Sequence, residues 1–474
     1  MDIANKTQAE LRQPSQAKTV LDRYDPTYDP LVAASPGRGQ QYAPTYWVAT
    51  AGTSPEDDGP VTADMDVDVV IIGSGFTGLS CAVFLAKEHG IKATVLEANQ
   101  VSWGCTSRNG GQAQNASGRL SRSQWIQRWG LDTARRMHEE VREGFDTFKG
   151  LIRDGNIDCN PQDGGHLYIA HRDKAMRKLE AEAKVLREQF NYQTELLDKA
   201  TLSRNYVNEA EAVGAMHEPD GIGVHPLKLA HGYHRMAREL GATIHPSSPV
   251  LGWETRNGIH YLQTPGGVVR ARAVGVATGG YTSQGLHHQL RSKIMPILSN
   301  SLVTRPMTDQ EIAECNFITN EVITDTRTLR YYYRKLPDNR LQIGSRSSIT
   351  GGDAANPKHL QVLIDGMNRK FPAIKGIKVD YSWWGWVDVS HDMMPRIAQP
   401  DEKEQIFYAL GYGGNGVMFS AHAGRRMAQR IAGIKQGFEL PIYNSPLPGH
   451  LFAPFRRLGQ RMLYHWYHLR DEHL

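Results

Sequence analysis

The chain has 474 residues with a net charge of +4, and 40% of them are hydrophobic and 22% charged. At roughly 100–200 residues per domain this is the make-up of a globular protein of two or three units, which excludes fibrous and low-complexity chains. Basic and acidic residues are interspersed throughout, which excludes a nucleic-acid-binding face.

Residues 1–64 are rich in Pro, Asp, Gly and Ser, with turn chemistry at YDPTYDP and SPEDDGP, and read as an extended lead-in anchored by Tyr46 and Trp47. VDVVII (67–72) is a buried strand, GSGFTG a turn, LSCAVFLAKEHG a helix ending at Gly90, and ATVLEA (93–98) a second strand, making a βαβ unit. Residues 120–155 and 171–190 have helical apolar spacing, with the strand GGHLYIAH between them. A helix is expected over 226–240, then strands SPVLGWET, IHYLQTP and VVRARAVGVAT, the last two joined by the turn TPGG. Further strands are expected over 297–305, 329–335, 340–346 and 377–389. IFYAL (406–410) leads into GYGGNG and the helix VMFSAHAGRRMAQRIAG. The end, LFAPFRRLGQRMLYHWYHLRDEHL, is basic, aromatic and amphipathic; it docks on its own body or rests weakly on a membrane surface near a quinone pool.

Cys81, Cys105, Cys159 and Cys315 show no CxxC spacing and no neighbouring His at ligand distance, so neither a disulfide scaffold nor a metal site is expected. His465 and His468 share a helical face, but no further ligands accompany them. The first residues lack the apolar core of a secretory signal, and the most apolar stretch, 67–86, contains three glycines. A cytoplasmic chain without a transmembrane segment is expected.

The chemistry begins at Gly73-Ser74-Gly75-Phe76-Thr77-Gly78, with Glu97 closing the next strand 19 residues after the third glycine. A GxGxxG sequence alone is weak, but one that follows a buried strand, opens a helix and precedes an acidic strand end is a dinucleotide fingerprint. Gly73 permits the tight turn, Gly75 lets backbone approach a pyrophosphate, and Gly78 lets helix and strand pack closely. The helix start, with Phe76 and Thr77, offers free N–H groups to phosphate oxygens, and Glu97 can accept ribose hydroxyls. After Glu97 the chain does not run straight into another strand. It makes the polar loop Ser107-Arg108-Asn109-Gly110-Gly111, which suits a cofactor extending beyond its adenosine half and so favours FAD over NAD. The strand RAVGVATGGYTS ends in Gly279-Gly280, a candidate to return beside the first βαβ unit. GYGGNG (411–416) also matches GxGxxG, but neither a second strand nor an acidic residue follows it. Gly413, Gly414, Asn415, Gly416 and Val417 therefore suit the flavin-ring end of one site.

Taken together, VIIGSGFTGLS, VLEA, SRNGGQ, ATGGYTS and GYGGNGV resemble the D-amino-acid-oxidase-like (DAO) flavoproteins. YAPTYWVATA, TLRYYYRKLPDNRLQIGSR and DVSHDMMPRIA resemble their gamma-glutamylputrescine oxidase branch, so that the likeness spans residues 42–435. The resemblance implies an α/β fold, with a Rossmann-type FAD-binding domain (65–118, 220–295 and 395–435) interleaved with an α+β substrate domain of mixed or antiparallel sheet (119–219 and 296–394). The lead-in (1–64) and a tail (436–474) flank it. It implies FAD held by the residues named above and by the backbone of Val250 in the strand SPVLGWE. With no cysteine near the last glycine loop, non-covalent FAD is expected.

The implied reaction is hydride transfer from the carbon beside an amine nitrogen, with the imine then hydrolysed. The electron acceptor is O2, or a quinone or carrier protein in a dehydrogenase of the same fold; a third alternative is a non-catalytic flavoprotein subunit. Tyr331, Tyr332, Tyr333, Trp383, Trp384 and Trp386 are candidates to wall an amine pocket or to fill the core. Arg346 is a candidate partner for a substrate carboxylate, or a structural arginine. Lys293 stands where some relatives keep a lysine that assists the oxygen reaction, or is simply solvated. His391, with Asp392, lines the flavin or turns the chain.

Overall fold

The structure, a computed structural model, describes residues 22–449 and 453–473. The strand Met65–Ile72 alternates between half-buried and exposed over its first half and then buries Val69, Val70, Ile71 and Ile72 in succession. That switch marks its entry into a sheet covered on both faces, where a strand has no polar side. It runs parallel to Ala93–Leu96 on one side and to Gly267–Val276 on the other. The order is Gly252–Arg256, Ile259–Thr264, Gly267–Val276, Met65–Ile72, Ala93–Leu96 and Thr243–His245; Ile406–Leu410 pairs in parallel with the end of Gly267–Val276 and antiparallel with Arg396–Ala398, the eighth strand. Helix Phe76–His89 packs on this sheet and stops at Gly90, whose φ of +68° ends the helix in the left-handed region. Helix Gly416–Ile431 crosses it closely enough that a side chain on Gly424 would meet Ser80 Oγ at 2.1 Å.

A second sheet takes Val379–Ser390, Ile294–Pro306, Arg340–Ser345, Tyr332–Lys335, Val322–Asp325, His166–Ala170, Gly214–Glu218 and Glu195–Asp198 in that order. All of its pairings are antiparallel except Val322–Asp325 with His166–Ala170. A small sheet joins Gln112–Gln114, Gly221–Gly223 and Gln162–Asp163. The architecture is α/β, with a Rossmann-type parallel sheet beside a mixed, mainly antiparallel one.

The lead-in from residue 22 onward is tied down; residues 1–21 lie outside the described residues. Gly39 N–H donates to Ala98 O at 2.8 Å, and the Trp47 indole donates to Asn109 O at 2.8 Å. The helix expected over 120–155 is two helices, Arg122–Trp129 and Leu131–Asp154, broken at Gly130 with φ +79°. The strand expected from SPVLGWET begins only at Gly252. Pro246 and Pro249 cannot donate to a ladder and Ser247 has φ +53°, so Val250 precedes the strand and is not part of it. Among the described residues no helix is long and apolar enough to cross a membrane.

Candidate functional site

Four parallel strands end at one cavity. Ile72, Leu96 and Ala277 line it, as does Tyr412 just beyond Leu410. Ligands of open α/β sheets bind at such carboxyl ends, where strand order reverses. The glycine motif forms the cavity's floor. Gly73 has φ +102°, and a side chain there would meet Ala277 O at 2.7 Å. A side chain at Gly78 would begin 1.9 Å from Gly73 O, so Gly78 supports the cradle from behind without lining it. Helix Phe76–His89 starts at Gly75 with no side-chain cap, which leaves its positive end open to an anion. Thr106 Oγ1 accepts the Phe76 N–H at 3.2 Å, and Thr77 Oγ1 lies 2.8 Å from the Tyr412 hydroxyl.

Glu97 is buried on the cavity wall. Oε2 accepts Ser74 N–H at 3.0 Å and the Ser74 hydroxyl at 2.7 Å, and Oε1 accepts Asn99 N–H at 3.0 Å. Three of its about four acceptor positions are filled, and one remains for a hydroxyl of a bound ribose. Val250, Ser248 and Pro249 face the same end.

The loop after Glu97 is braced internally. Asn109 Nδ2 donates to Thr106 O at 3.0 Å, Asn109 Oδ1 accepts Gly111 N–H at 2.8 Å, and Ser107 Oγ donates to Trp103 O at 2.9 Å. Arg108 lies on the Trp103 ring at 4.2 Å, and its buried Nη2 has no hydrogen-bond partner. Arg108, Asn109 and Gly110 line the cavity; Ser107 and Gly111 shape the loop from outside it. Cys105 also borders the cavity, its thiol pushed up to about 12 by burial.

Gly279 and Gly280 form a short turn on the wall, and a side chain on Gly280 would meet Trp386 O at 2.8 Å. Gly414, Asn415, Gly416 and Val417 line the opposite side, while Gly413 turns the loop at φ +66°. Asp388 anchors that loop: its Oδ2 accepts Gly411 N–H at 2.6 Å and its carbonyl accepts Gly413 N–H at 2.8 Å. Burial raises the Asp388 carboxyl to about 6.

Beyond this loop the cavity ends at Arg119, Arg330 and Arg346 with Tyr332, Gln112, Gln114, Ser299 and Thr324. Arg119 Nη1 donates to Gly413 O at 3.3 Å, and a side chain on Gly414 would meet Arg346 Nη2 at 3.0 Å. Among the described residues no carboxylate pairs with any of the three arginines. Burial, then their mutual repulsion, pulls the pKa of Arg119 down, and Arg346 shifts the same way. The Tyr332 hydroxyl sits 2.9 Å from Ser299 Oγ and 2.9 Å from Ser301 Oγ.

Several sequence candidates fall elsewhere. Strand alternation turns Tyr333 away from Tyr332 and the cavity. Its hydroxyl donates to Glu209 in a fully buried cluster with Lys370. Lys293 is not on the wall; its ammonium group lies beside Gly449. His391 Nε2 meets Ser292 O at 3.1 Å, and Asp392 pairs with Arg396, so this segment turns the chain. Tyr331 packs over Gly366, and the indoles of Trp383, Trp384 and Trp386 donate to the carbonyls of Arg108, Pro26 and Tyr28. The strand's own contributions to the wall are Gly385, Val387 and Asp388. Arg119, Arg330, Asp388, Gln112 and Thr106 were not singled out as site residues; Gln112, Arg330 and Asp388 lie within stretches that carry the resemblance, but only the fold brings their side chains to the cavity. Outside the cavity, Glu140, Glu143 and His422 converge, but Arg426 already occupies the position of a cation, with its Nη2 2.6 Å from Glu143.

The geometry fits an extended dinucleotide: uncapped helix start, left-handed glycines, a buried acceptor at one end and unpaired cations at the other. Residues 68–430 match the family described as DAO, FAD dependent oxidoreductase. The chain is 30% identical over 439 residues to the gamma-glutamylputrescine oxidoreductase of Escherichia coli (strain K12), covering 91% of this chain and 99% of that one. It is 26% identical over 376 residues to the glycine oxidase of Bacillus licheniformis, covering 77% and 93%. The solved glycine oxidase from Geobacillus kaustophilus shares the fold with a TM-score of 0.69 at 20% identity, over 81% of this chain and 99% of that one. L-proline dehydrogenase from P. horikoshii shares it at 0.66 and 18% identity, over 81% and 96%. The family match spans the cradle, the braced loop and the last glycine loop alike, and the chain therefore belongs to the FAD dependent oxidoreductase (DAO) family, in its gamma-glutamylputrescine oxidase branch, with FAD as its cofactor.

Proposed function

We propose that this FAD-dependent amine or amino-acid oxidoreductase oxidises a C–N bond of an amine that also carries a carboxylate, of the gamma-glutamylputrescine type. The observation that supports this reading is the cavity's polarity: a dinucleotide cradle at one end and three arginines without a counter-ion at the other. FAD, when bound, would supply hydride-accepting chemistry for the carbon beside the nitrogen. Gly73, Gly75, Phe76, Thr77 and Glu97 would hold its adenosine and pyrophosphate part, and Gly414, Asn415 and Gly416 would lie at the ring. Arg346 takes the carboxylate through its planar fork, and the walls around Tyr332 and Val387 exclude water. An amine that arrives neutral needs no side-chain base. Non-covalent FAD is the expected state, since no cysteine stands near the last glycine loop.

For the acceptor, the exposed Phe455, Leu458, Met462, Trp466 and Leu469 of the last helical segment favour a second reading, in which a membrane quinone takes the electrons instead of O2. Absorbance of the purified flavoprotein under anaerobic conditions tests the main reading. Gamma-glutamylputrescine is expected to bleach the flavin bands, and peroxide on readmitting air then identifies O2 as acceptor. Bands that no carboxylated amine bleaches would overturn the assignment.

A further inference from the structure

We infer that helix Arg456–His473 packs behind the lining residues at the substrate end of the cavity and reaches a substrate bound there, and that its Tyr464 is a specificity-determining residue for carboxylate-bearing amines. The inference rests on the function proposed above. The helix lies outside residues 68–430, so the family match does not account for it.

Both ends of the helix are pinned. Near its start, Arg457 pairs with Asp29 at 2.8 Å, donates to Pro296 O at 3.3 Å and lies over the Trp386 ring at 4.8 Å. Near its end, the Asp471 carboxylate accepts Thr328 N–H at 2.6 Å and Leu329 N–H at 3.2 Å, and Asp471 O meets His171 Nε2 at 3.1 Å. Pro296 belongs to strand Ile294–Pro306, and His171 follows strand His166–Ala170, four places along the same sheet. Four strand spacings of about 4.8 Å make roughly 19 Å. The 14 residues from Arg457 to Asp471 rise about 21 Å as a helix. The helix therefore runs straight across the intervening strand ends.

Tyr464 is its midpoint. The strands beneath are Arg340–Ser345, followed at once by Arg346, and Tyr332–Lys335, preceded by Arg330. The Tyr464 hydroxyl and, one turn earlier, the Gln460 amide nitrogen are buried with no partner but each other, and Arg330 Nε is buried without a hydrogen-bond partner. Arginine side chains only donate. This end of the cavity thus gathers three arginines that no carboxylate among the described residues pairs with, and a carboxylate supplies the counter-charge they lack. The charges of Arg346 and Arg119 act on the Tyr464 phenol, in keeping with that placement.

Glutarate, a dicarboxylate with no amine to oxidise, is the probe. It is expected to bind the FAD-loaded native chain, read calorimetrically and by its perturbation of the flavin spectrum. Tyr464→Phe is expected to weaken it about 10- to 100-fold, the loss of one hydrogen bond to a charged group. Gln460→Met, which keeps the bulk and removes the amide, is expected to act in the same direction. The preference in kcat/KM for gamma-glutamylputrescine over putrescine is expected to fall by a similar factor in Tyr464→Phe. Glutarate that fails to bind the native chain, or binds both variants as tightly as native, would overturn the inference, as would an unchanged preference. If no amine bleaches the flavin, the proposed reaction fails, while glutarate binding still decides the role of Tyr464.

Discussion

Asp388 has the most consequential titration in the cavity wall. Its carboxyl is buried against the last glycine loop and raised from 3.8 to about 6, chiefly by burial and in spite of the Gly411 N–H it accepts. The folded chain therefore keeps a proton between about pH 4 and 6 that the unfolded chain releases. Stability from this group is fully present below about 4 and is lost as pH rises through 6, by about 3 kcal/mol. In Asp388→Asn the amide oxygen can still accept the Gly411 N–H and carries no charge. Urea unfolding of the apoprotein is expected to show the variant gaining on native as pH rises from 4 to 7; parallel profiles would refute the assignment. At this scale the sequence was legible where a backbone demand selects the residue. Gly73 and Gly78 are forced by the carbonyls of Ala277 and Gly73, which leave no room for a side chain. It was not legible where side-chain direction decides. Tyr332 and Tyr333 are identical in kind, and only strand register sends one to the cavity and the other to Glu209.

At the scale of elements, helix Pro357–Lys370 is absent from those expected above, although Asn356-Pro357 is a helix-start signal and Asn356 caps Lys358 N–H at 3.1 Å. It ends on Lys370, whose ammonium pairs with Glu209 at 2.8 Å, Asp325 at 3.1 Å and Glu211 at 3.4 Å. Burial alone would lower the lysine pKa; the surrounding carboxylates outweigh it and keep the lysine charged. The network fastens this helix to strand Val322–Asp325, whose neighbour carries Tyr332. Lys370→Met would leave Glu209 and Asp325 buried with too little countercharge, at a cost of about 3–5 kcal/mol. A urea midpoint within error of native would show that the network does not hold the helix. Long periodic segments such as Phe76–His89 and Asp173–Phe190 were legible because their pattern is local. The partners of Lys370 lie 45 to 161 residues away, so no window of sequence contains them.

For the molecule as a whole, the cavity wall draws on Pro36 of the lead-in, the ends of the parallel strands, Ser299 and Tyr332 of the second sheet, and Ser420 of a late helix. A ligand that touches all of these stabilises them together. FAD at about 100 times its dissociation constant is expected to add about 2.7 kcal/mol to the apoprotein. Calorimetry is expected to show one transition moving to higher temperature; a part of the melt that stays in place would mean that the two sheets unfold independently of the site. The α/β class was legible from the first βαβ unit. The second sheet's strand order was not, because it interleaves segments from residue 166 to residue 390.

The pinned helix across the arginine end has a consequence for how the enzyme is made. Residues that meet in one cavity are spread from Pro36 to Ser420, and the helix at its arginine end is the last one described. A nascent chain emerging from the ribosome carries the Gly73 turn early, but neither the Asn415 loop nor Tyr464. Until residues 456–473 have been made, the arginine end is an open trough lined with positive charge. Maturation thus has a natural order, in which the cradle forms first and the binding of Asp29 to Arg457 comes last, joining the early and late parts of the chain.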